Sequence, residues 1–338
     1  MHAERPTRPR LMRLSGLCLF VCLLAWSASA SASASASAGD GDGVEPRVMP
    51  RDCPHCPELV RVPGGRFQMG SLDGEPGRPE GPPHEVRIAR AFALGRTEVT
   101  VAEFRSFVAA TGYAVAPGCR VQGSRSADGS RVDWVNDAAR TWRDPGFAGS
   151  LREDQPVVCV GRSDALAYVA WLAQSSGQPY RLPSESEWEY AARAGGAGDY
   201  PWGSDPGQGC GFANLYDRSS RRSFDFGWDF ADCEDGFAEL APVGSLAPNA
   251  FGLHDMIGNV WEWTQDCYRL TYDAAPDDGS PVPGGADCER WAVRGGSWMT
   301  RPSRNRSAFR GRDPNDARYS YFGFRVARDL AGPAAADR

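Results

Sequence analysis

The sequence predicts a loop-rich α+β fold with little regular secondary structure. Three observations lead there. Glycine (39 residues) and proline (26 residues) are abundant and spread along the chain rather than gathered in linkers. Helical and strand periodicities both occur, each in brief stretches. No internal repeat is visible, and about 290 residues follow Pro50, enough for one sizeable core.

The elements can be placed in order. Residues 1–30 read as a signal peptide: Arg5, Arg8, Arg10 and Arg13 give a basic start, and Leu14 to Trp26 an apolar run too short for an ordinary membrane span. Ala28-Ser29-Ala30 reads as one candidate cleavage site, with an uncleaved anchor as the alternative. Residues 31–49 read as a flexible Ser/Ala/Gly leader, and the domain is expected over residues 50–330. Val60 to Met69 reads as a hairpin around Gly64-Gly65, and His84 to Ile88 and Phe92 to Val99 as strands. Thr100 and Glu103 have capping-box spacing, so a helix starts there, buries Phe104 and Phe107, and stops near Gly112. Ser163 opens a second helix, with Ala167, Trp171 and Leu172 apolar and Gly177 at its end. Ser184 and Glu187 form another capping box, ahead of Trp188, Ala191 and Ala192 on a buried face. The last third has little helical signal. Trp261-Glu262-Trp263, Arg294 to Trp298 and Gly323 to Arg328 read as strands.

The formal net charge is -6, and all 37 basic residues counted as Lys or Arg are arginine. That balance argues against nucleic acid or an anionic membrane as partner, and it excludes lysine chemistry. Of ten cysteines, Cys18 and Cys22 lie in the signal segment and eight remain. An even number in an exported chain favours disulfides, though sequence does not fix the pairing. Joining neighbours gives Cys53 with Cys56, Cys119 with Cys159, Cys210 with Cys233 and Cys267 with Cys288. Zinc is the rival reading for Cys53-Pro-His-Cys56. It needs two more soft ligands, and His2, His55, His84 and His254 are the only histidines. Nothing in their spacing gathers them for an iron site.

A series of motifs is similar to successive blocks of the formylglycine-generating enzyme, or sulfatase-modifying factor, family. They are Val62-Pro63-Gly64-Gly65, Thr97-Glu98-Val99-Thr100, Arg181-Leu182-Pro183-Ser184-Glu185 and Tyr200-Pro201-Trp202-Gly203, followed by Asn249-Ala250-Phe251-Gly252-Leu253, Gly258-Asn259-Val260-Trp261-Glu262-Trp263, Arg294-Gly295-Gly296-Ser297-Trp298 and Gly323-Phe324-Arg325. The resemblance runs in order from about Val60 to Arg328 and implies that family's C-type-lectin-like fold.

It also implies structural calcium. Asn214, the Leu215 carbonyl, Asp235 and the Phe237 carbonyl match one family site; Asp255, the Gly258 and Val260 carbonyls and Glu262 match a second, with Glu98 a further ligand. Calcium takes six to eight such oxygens. Without the resemblance, Asn214, Asp235 and Asp255 read as turn residues bonding their own backbone. A buried Glu262 between two tryptophans would be costly without a cation or a hydrogen-bond partner.

The family's enzymes hold copper(I) between two cysteines shortly after the Gly-Gly-Ser strand. Here Thr300 and, with a softer correspondence, Asn305 stand at those places, and no cysteine follows Cys288. Copper-dependent formylglycine formation is therefore not expected, since thiolates select Cu(I). The remaining pocket candidates are Trp261, Ser297, Trp298, Thr300, Asn305 and a run of arginines, Arg301, Arg304, Arg306, Arg310 and Arg312. Such a run suits a peptide, protein or small anionic ligand. The alternative is a solvated face paired with Asp313 and Asp316. Two functions fit: a periplasmic or secreted maturation or oxidoreductase-type factor, like the cysteine-free pyoverdine-maturation relatives, or a non-catalytic module binding a peptide, glycan or anion in a lectin-like cleft.

Overall fold

A computed structural model describes residues 48–125 and 132–330. The signal peptide and residues 31–47 of the leader lie outside the described residues. Strands β1 (Leu59–Val62), β2 (Gly65–Met69), β3 (His84–Ile88) and β4 (Phe92–Gly95) precede helix α1 (Val101–Thr111). Then come β5 (Cys119–Arg125), β6 (Val132–Asp137), α2 (Arg162–Ser176), β7 (Tyr180–Arg181), α3 (Glu185–Arg193) and α4 (Arg218–Ser223). The C-terminal part supplies β8 (Trp261–Cys267), β9 (Trp291–Arg294), β10 (Gly311–Asp313), β11 (Phe322–Gly323) and β12 (Ala327–Asp329), with 3₁₀ turns at Pro206–Gly211 and Pro302–Arg304.

The strands form two four-stranded sheets, ordered β1-β4-β12-β7 and β10-β9-β8-β11, and two hairpins, β2-β3 and β5-β6. The short C-terminal strand β12 sits between β4 and β7, so it shares one sheet with β1, the first strand. Helix α3 packs on β2, β8 and β9, bridging a hairpin to the second sheet. Phe104, Phe107, Trp142, Tyr168, Trp263 and Phe324 are buried in one core; Val60, Val62, Leu94 and Trp188 are buried in a second.

Helix boundaries follow the expected caps. Thr100 and Ser184 each accept from the backbone three residues on, completing their capping boxes. Gly112 and Gly177 end their helices in the left-handed conformation. Helix α2 starts one residue before Ser163, with Gly161 as its cap and Asp164 accepting from the Gly161 N–H.

The strands depart from the expectation in four places. Val60 to Met69 is no hairpin: β1 pairs with β4 and β2 with β3. Gly64-Gly65 serves close packing instead, for a Cβ at Gly65 would lie 2.4 Å from the Tyr190 hydroxyl. The strand after Phe92 ends at Gly95, short of Val99. Arg294 to Trp298 is not a strand, because Gly295 and Gly296 take φ of 97° and 77° and turn the chain out of β9. Gly323 to Arg328 divides between β11 and β12, which belong to different sheets.

Candidate functional site

The turn that Gly295 and Gly296 create places Ser297 to Arg301 against the start of β8. The Thr300 hydroxyl accepts from the Trp261 indole N–H at 3.1 Å and from the Ser297 backbone N–H at 3.0 Å. It also bonds the Ser297 hydroxyl at 2.9 Å. The Asn305 amide donates to the Thr300 carbonyl at 3.4 Å. Four of the five pocket candidates other than arginine thus belong to one cluster.

Two of them, Trp261 and Thr300, line a cleft of about 320 Å³. Ser297 and Asn305 are buried behind Thr300. The walls are aromatic: Trp134 from β6, Trp228, Phe309, Tyr319 and Tyr321. Gly311 is required here, since its Cβ would lie 2.9 Å from the Trp261 ring. The Trp228 indole is fixed by donating to the Met299 carbonyl at 3.2 Å. The Tyr319 hydroxyl donates to Asp313 at 2.9 Å, and burial, then the Asp313 charge, pushes that phenol up to about 12.

The arginine run splits. Arg306 pairs with Glu80, and Arg310 pairs with Glu185, both inside the protein. Arg310 is therefore a core cation and not a pocket residue. The partners of these arginines come from the N-terminal half of the domain, not from Asp313 and Asp316. Arg301, Arg304 and Arg312 do line the cleft, joined by Arg78 and by Arg120 of β5. Arg304 pairs with Glu75 at 2.6 Å. Among the described residues, no carboxylate lies within ion-pair distance of Arg78, Arg120, Arg301 or Arg312. Burial, then repulsion from Arg304 and Arg312, lowers the pKa of Arg78. The cleft thus gathers five guanidinium groups against the Asp313 carboxylate in its wall and Glu75 on Arg304, a local excess of positive charge in an acidic protein. Arg78 and Arg120 lie far away in sequence, and no local motif marks them.

The two stretches that the resemblance assigns to calcium meet. The Asn214 carbonyl accepts from the Asn259 N–H at 2.9 Å, and a Cβ on Gly258 would lie 2.2 Å from that oxygen. Asp235 accepts from the Leu215 and Phe237 N–H groups, each at 2.8 Å. Burial pushes its carboxyl up to about 7. The Asn214 side-chain oxygen is buried without a partner. Asp255 accepts from the Gly244 N–H at 2.7 Å, but its other oxygen and both oxygens of buried Glu98 have no partner. Glu262 differs from the expectation. Both its oxygens accept from Arg325, each at 2.6 Å, and one also accepts from the Trp188 indole at 2.7 Å. Among the described residues, the only three potential metal-ligating groups whose ligand atoms lie within 4.8 Å of one another are Cys210, Asp217 and Asp235, and the Cys210 sulfur is in a disulfide. The unpartnered oxygens of Asn214, Glu98 and Asp255 are of the kind a hard cation takes, whereas both Glu262 oxygens already accept from Arg325.

The eight cysteines pair as Cys53–Cys56, Cys119–Cys159, Cys210–Cys233 and Cys267–Cys288. The three described histidines have separate partners: His55 stacks on Trp171, His84 packs on Tyr272, and His254 bonds the Leu246 carbonyl.

Comparison with known proteins agrees with this architecture. The sulfatase-modifying factor enzyme 1-like domain matches residues 45–330. A formylglycine-generating enzyme of Streptomyces coelicolor is 37% identical over 80% of this chain and 88% of its own length. The bovine inactive C-alpha-formylglycine-generating enzyme 2 is 35% identical over 71% of this chain and 76% of its own. The solved structure of PvdO from Pseudomonas aeruginosa superposes with a TM-score of 0.67 at 37% identity, covering 85% of this chain and 99% of PvdO. The chain belongs to the sulfatase-modifying-factor, formylglycine-generating-enzyme-like family.

Proposed function

We propose that this is an exported maturation-type factor that works at the Trp261–Thr300 cleft without copper, on a substrate bearing a ring and an acidic group. The observation that carries the reading is the cleft itself. Its aromatic walls offer stacking surface, and Arg78, Arg120, Arg301 and Arg312 outnumber Asp313 in its lining, none of the four having a carboxylate at ion-pair distance among the described residues. The place the resemblance gives to a copper thiolate is held by the Thr300 hydroxyl, and a hydroxyl does not select Cu(I). Export is supported by the basic and apolar start of the sequence and by four disulfides, which persist in oxidising compartments.

Calcium would be held at Asn214 with Asp235 and at Asp255 with Glu98. There it would tie loops together and supply no chemistry to the cleft.

A purely binding role is the second reading, and one observation favours it. The Ser297 and Thr300 hydroxyls bond each other, with no histidine among their partners to activate either as a nucleophile. Tryptophan fluorescence tests the cleft, using tyrosine O-sulfate as probe against tyrosine amide. The sulfate is expected to quench with saturation, and Arg78→Ala with Arg301→Ala to weaken it at least about tenfold. Equal binding of the neutral amide would refute the anion reading. Oxygen consumption with copper or iron and candidate peptides, above the metal-only background, would remove the binding-only reading.

A further inference from the structure

We propose that Cys53–Cys56 is a redox-active disulfide that exchanges with a dithiol substrate, an activity separate from the cleft and independent of its reading. The other three disulfides join residues 40, 23 and 21 positions apart and so tie distant segments together. This one spans three positions, and the backbone has already closed its turn. The Cys56 N–H donates to the Cys53 carbonyl at 3.0 Å, and the Arg51 guanidinium donates to the Cys56 carbonyl at 2.9 Å. Opening the bond therefore frees almost no chain. Both sulfurs stay on one turn, ready to close again.

The two sulfurs are unequal in the way that exchange requires. Cys56 is wholly buried, clustered with Leu59 and other core residues, whereas Cys53 is partly exposed beside the exposed Pro54. An incoming thiolate reaches Cys53 first. Cys56 is then the leaving group, held on the turn by Arg51, which donates to the Cys56 carbonyl and pairs with Glu58. His55 lies between the sulfurs in sequence. Its ring stacks on Trp171 at 4.9 Å, and its Nε2 lies 3.5 Å from the Ser175 hydroxyl, so helix α2 holds the turn in place whether the bond is open or closed.

The exchange balances in two steps. One substrate thiolate attacks the Cys53 sulfur; a new S–S bond forms, the Cys53–Cys56 bond breaks, and the electron pair leaves on Cys56, which takes a proton. The second substrate thiolate attacks its neighbour in the mixed disulfide, and Cys53 leaves and is protonated. The substrate dithiol loses two electrons and becomes a disulfide, and the protein's disulfide becomes two thiols.

The test titrates the purified full-length protein with dithiothreitol, without denaturant, then alkylates free thiols and maps them by mass. Cys53 and Cys56 are expected to open at a dithiol concentration at least about tenfold below that needed for any other pair. The near-UV circular dichroism should be unchanged, and the bond should close again on dialysis. One equivalent of protein should also oxidise a reduced dithiol peptide at least about tenfold faster than oxidised glutathione does. In Cys56→Ser, the remaining Cys53 should capture a peptide disulfide as a mixed disulfide, and Cys56 in Cys53→Ser should not. Opening only together with Cys210–Cys233 or Cys267–Cys288, or oxidation no faster than by glutathione, would make the bond a structural staple and overturn the proposal.

Discussion

Arg325 holds Glu262 through two hydrogen bonds of 2.6 Å, and both side chains are fully buried. Arg325 also donates to the carbonyls of His254 and Asp255, so one guanidinium joins β8 to the loop that precedes it. Glu262 thus has its counter-charge in a residue 63 positions away in sequence. Removing one partner of a buried pair strands the other charge. Glu262→Ala is expected to cost about 3–5 kcal/mol in denaturant unfolding, whether calcium or a chelator is present. A loss seen only in calcium would return Glu262 to the metal.

Calcium binding itself predicts that a chelator lowers the melting temperature of the parent protein. Asp235→Ala and Asp255→Ala should each shrink that difference, because each removes a carboxylate from one of the two assigned sets. Identical melting curves of the parent with and without chelator would refute both sites.

The arginines after Ser297 should separate into two classes. Arg310 pairs with Glu185 through two hydrogen bonds, of 2.7 and 2.8 Å, inside the core. Arg310→Ala should lower stability by about 3–5 kcal/mol. Arg301 is exposed over the Trp228 ring and, among the described residues, has no carboxylate at ion-pair distance, so Arg301→Ala should change stability by less than about 0.5 kcal/mol while weakening anion binding. Equal destabilisation by the two would contradict the division.

Asp266 gives a pH dependence with a definite sign. Burial, then the Glu185 charge, pushes its carboxyl up to about 7, although it accepts from the Glu185 and Val282 N–H groups. An unfolded aspartate titrates near about 3.9. The folded state therefore favours the protonated form, and this contribution is complete below about pH 4 and is lost as pH rises through about 7. Melting temperature at fixed chelator should fall between pH 5 and pH 8, and Asp266→Asn should flatten the slope. An unchanged slope in the variant would show that other groups set it.

The sequence alone determined the features written locally. Helix starts at Thr100 and Ser184 were legible because a capping box needs only residues three apart. Gly112 and Gly177 marked helix ends because a left-handed turn favours glycine. The order of motifs was enough for the family, and pairing of cysteine neighbours matched the disulfides. Tertiary structure decided what depends on distant partners. Gly64-Gly65 carried a turn signal, yet β1 found β4 and β2 found β3, since strand pairing is set by the whole sheet. The fate of each arginine was equally hidden. Arg310 and Arg301 look alike in sequence, and only folding puts Glu185 beside one and leaves the other facing the cleft, because a charge takes its role from neighbours that the chain brings together across more than 100 residues.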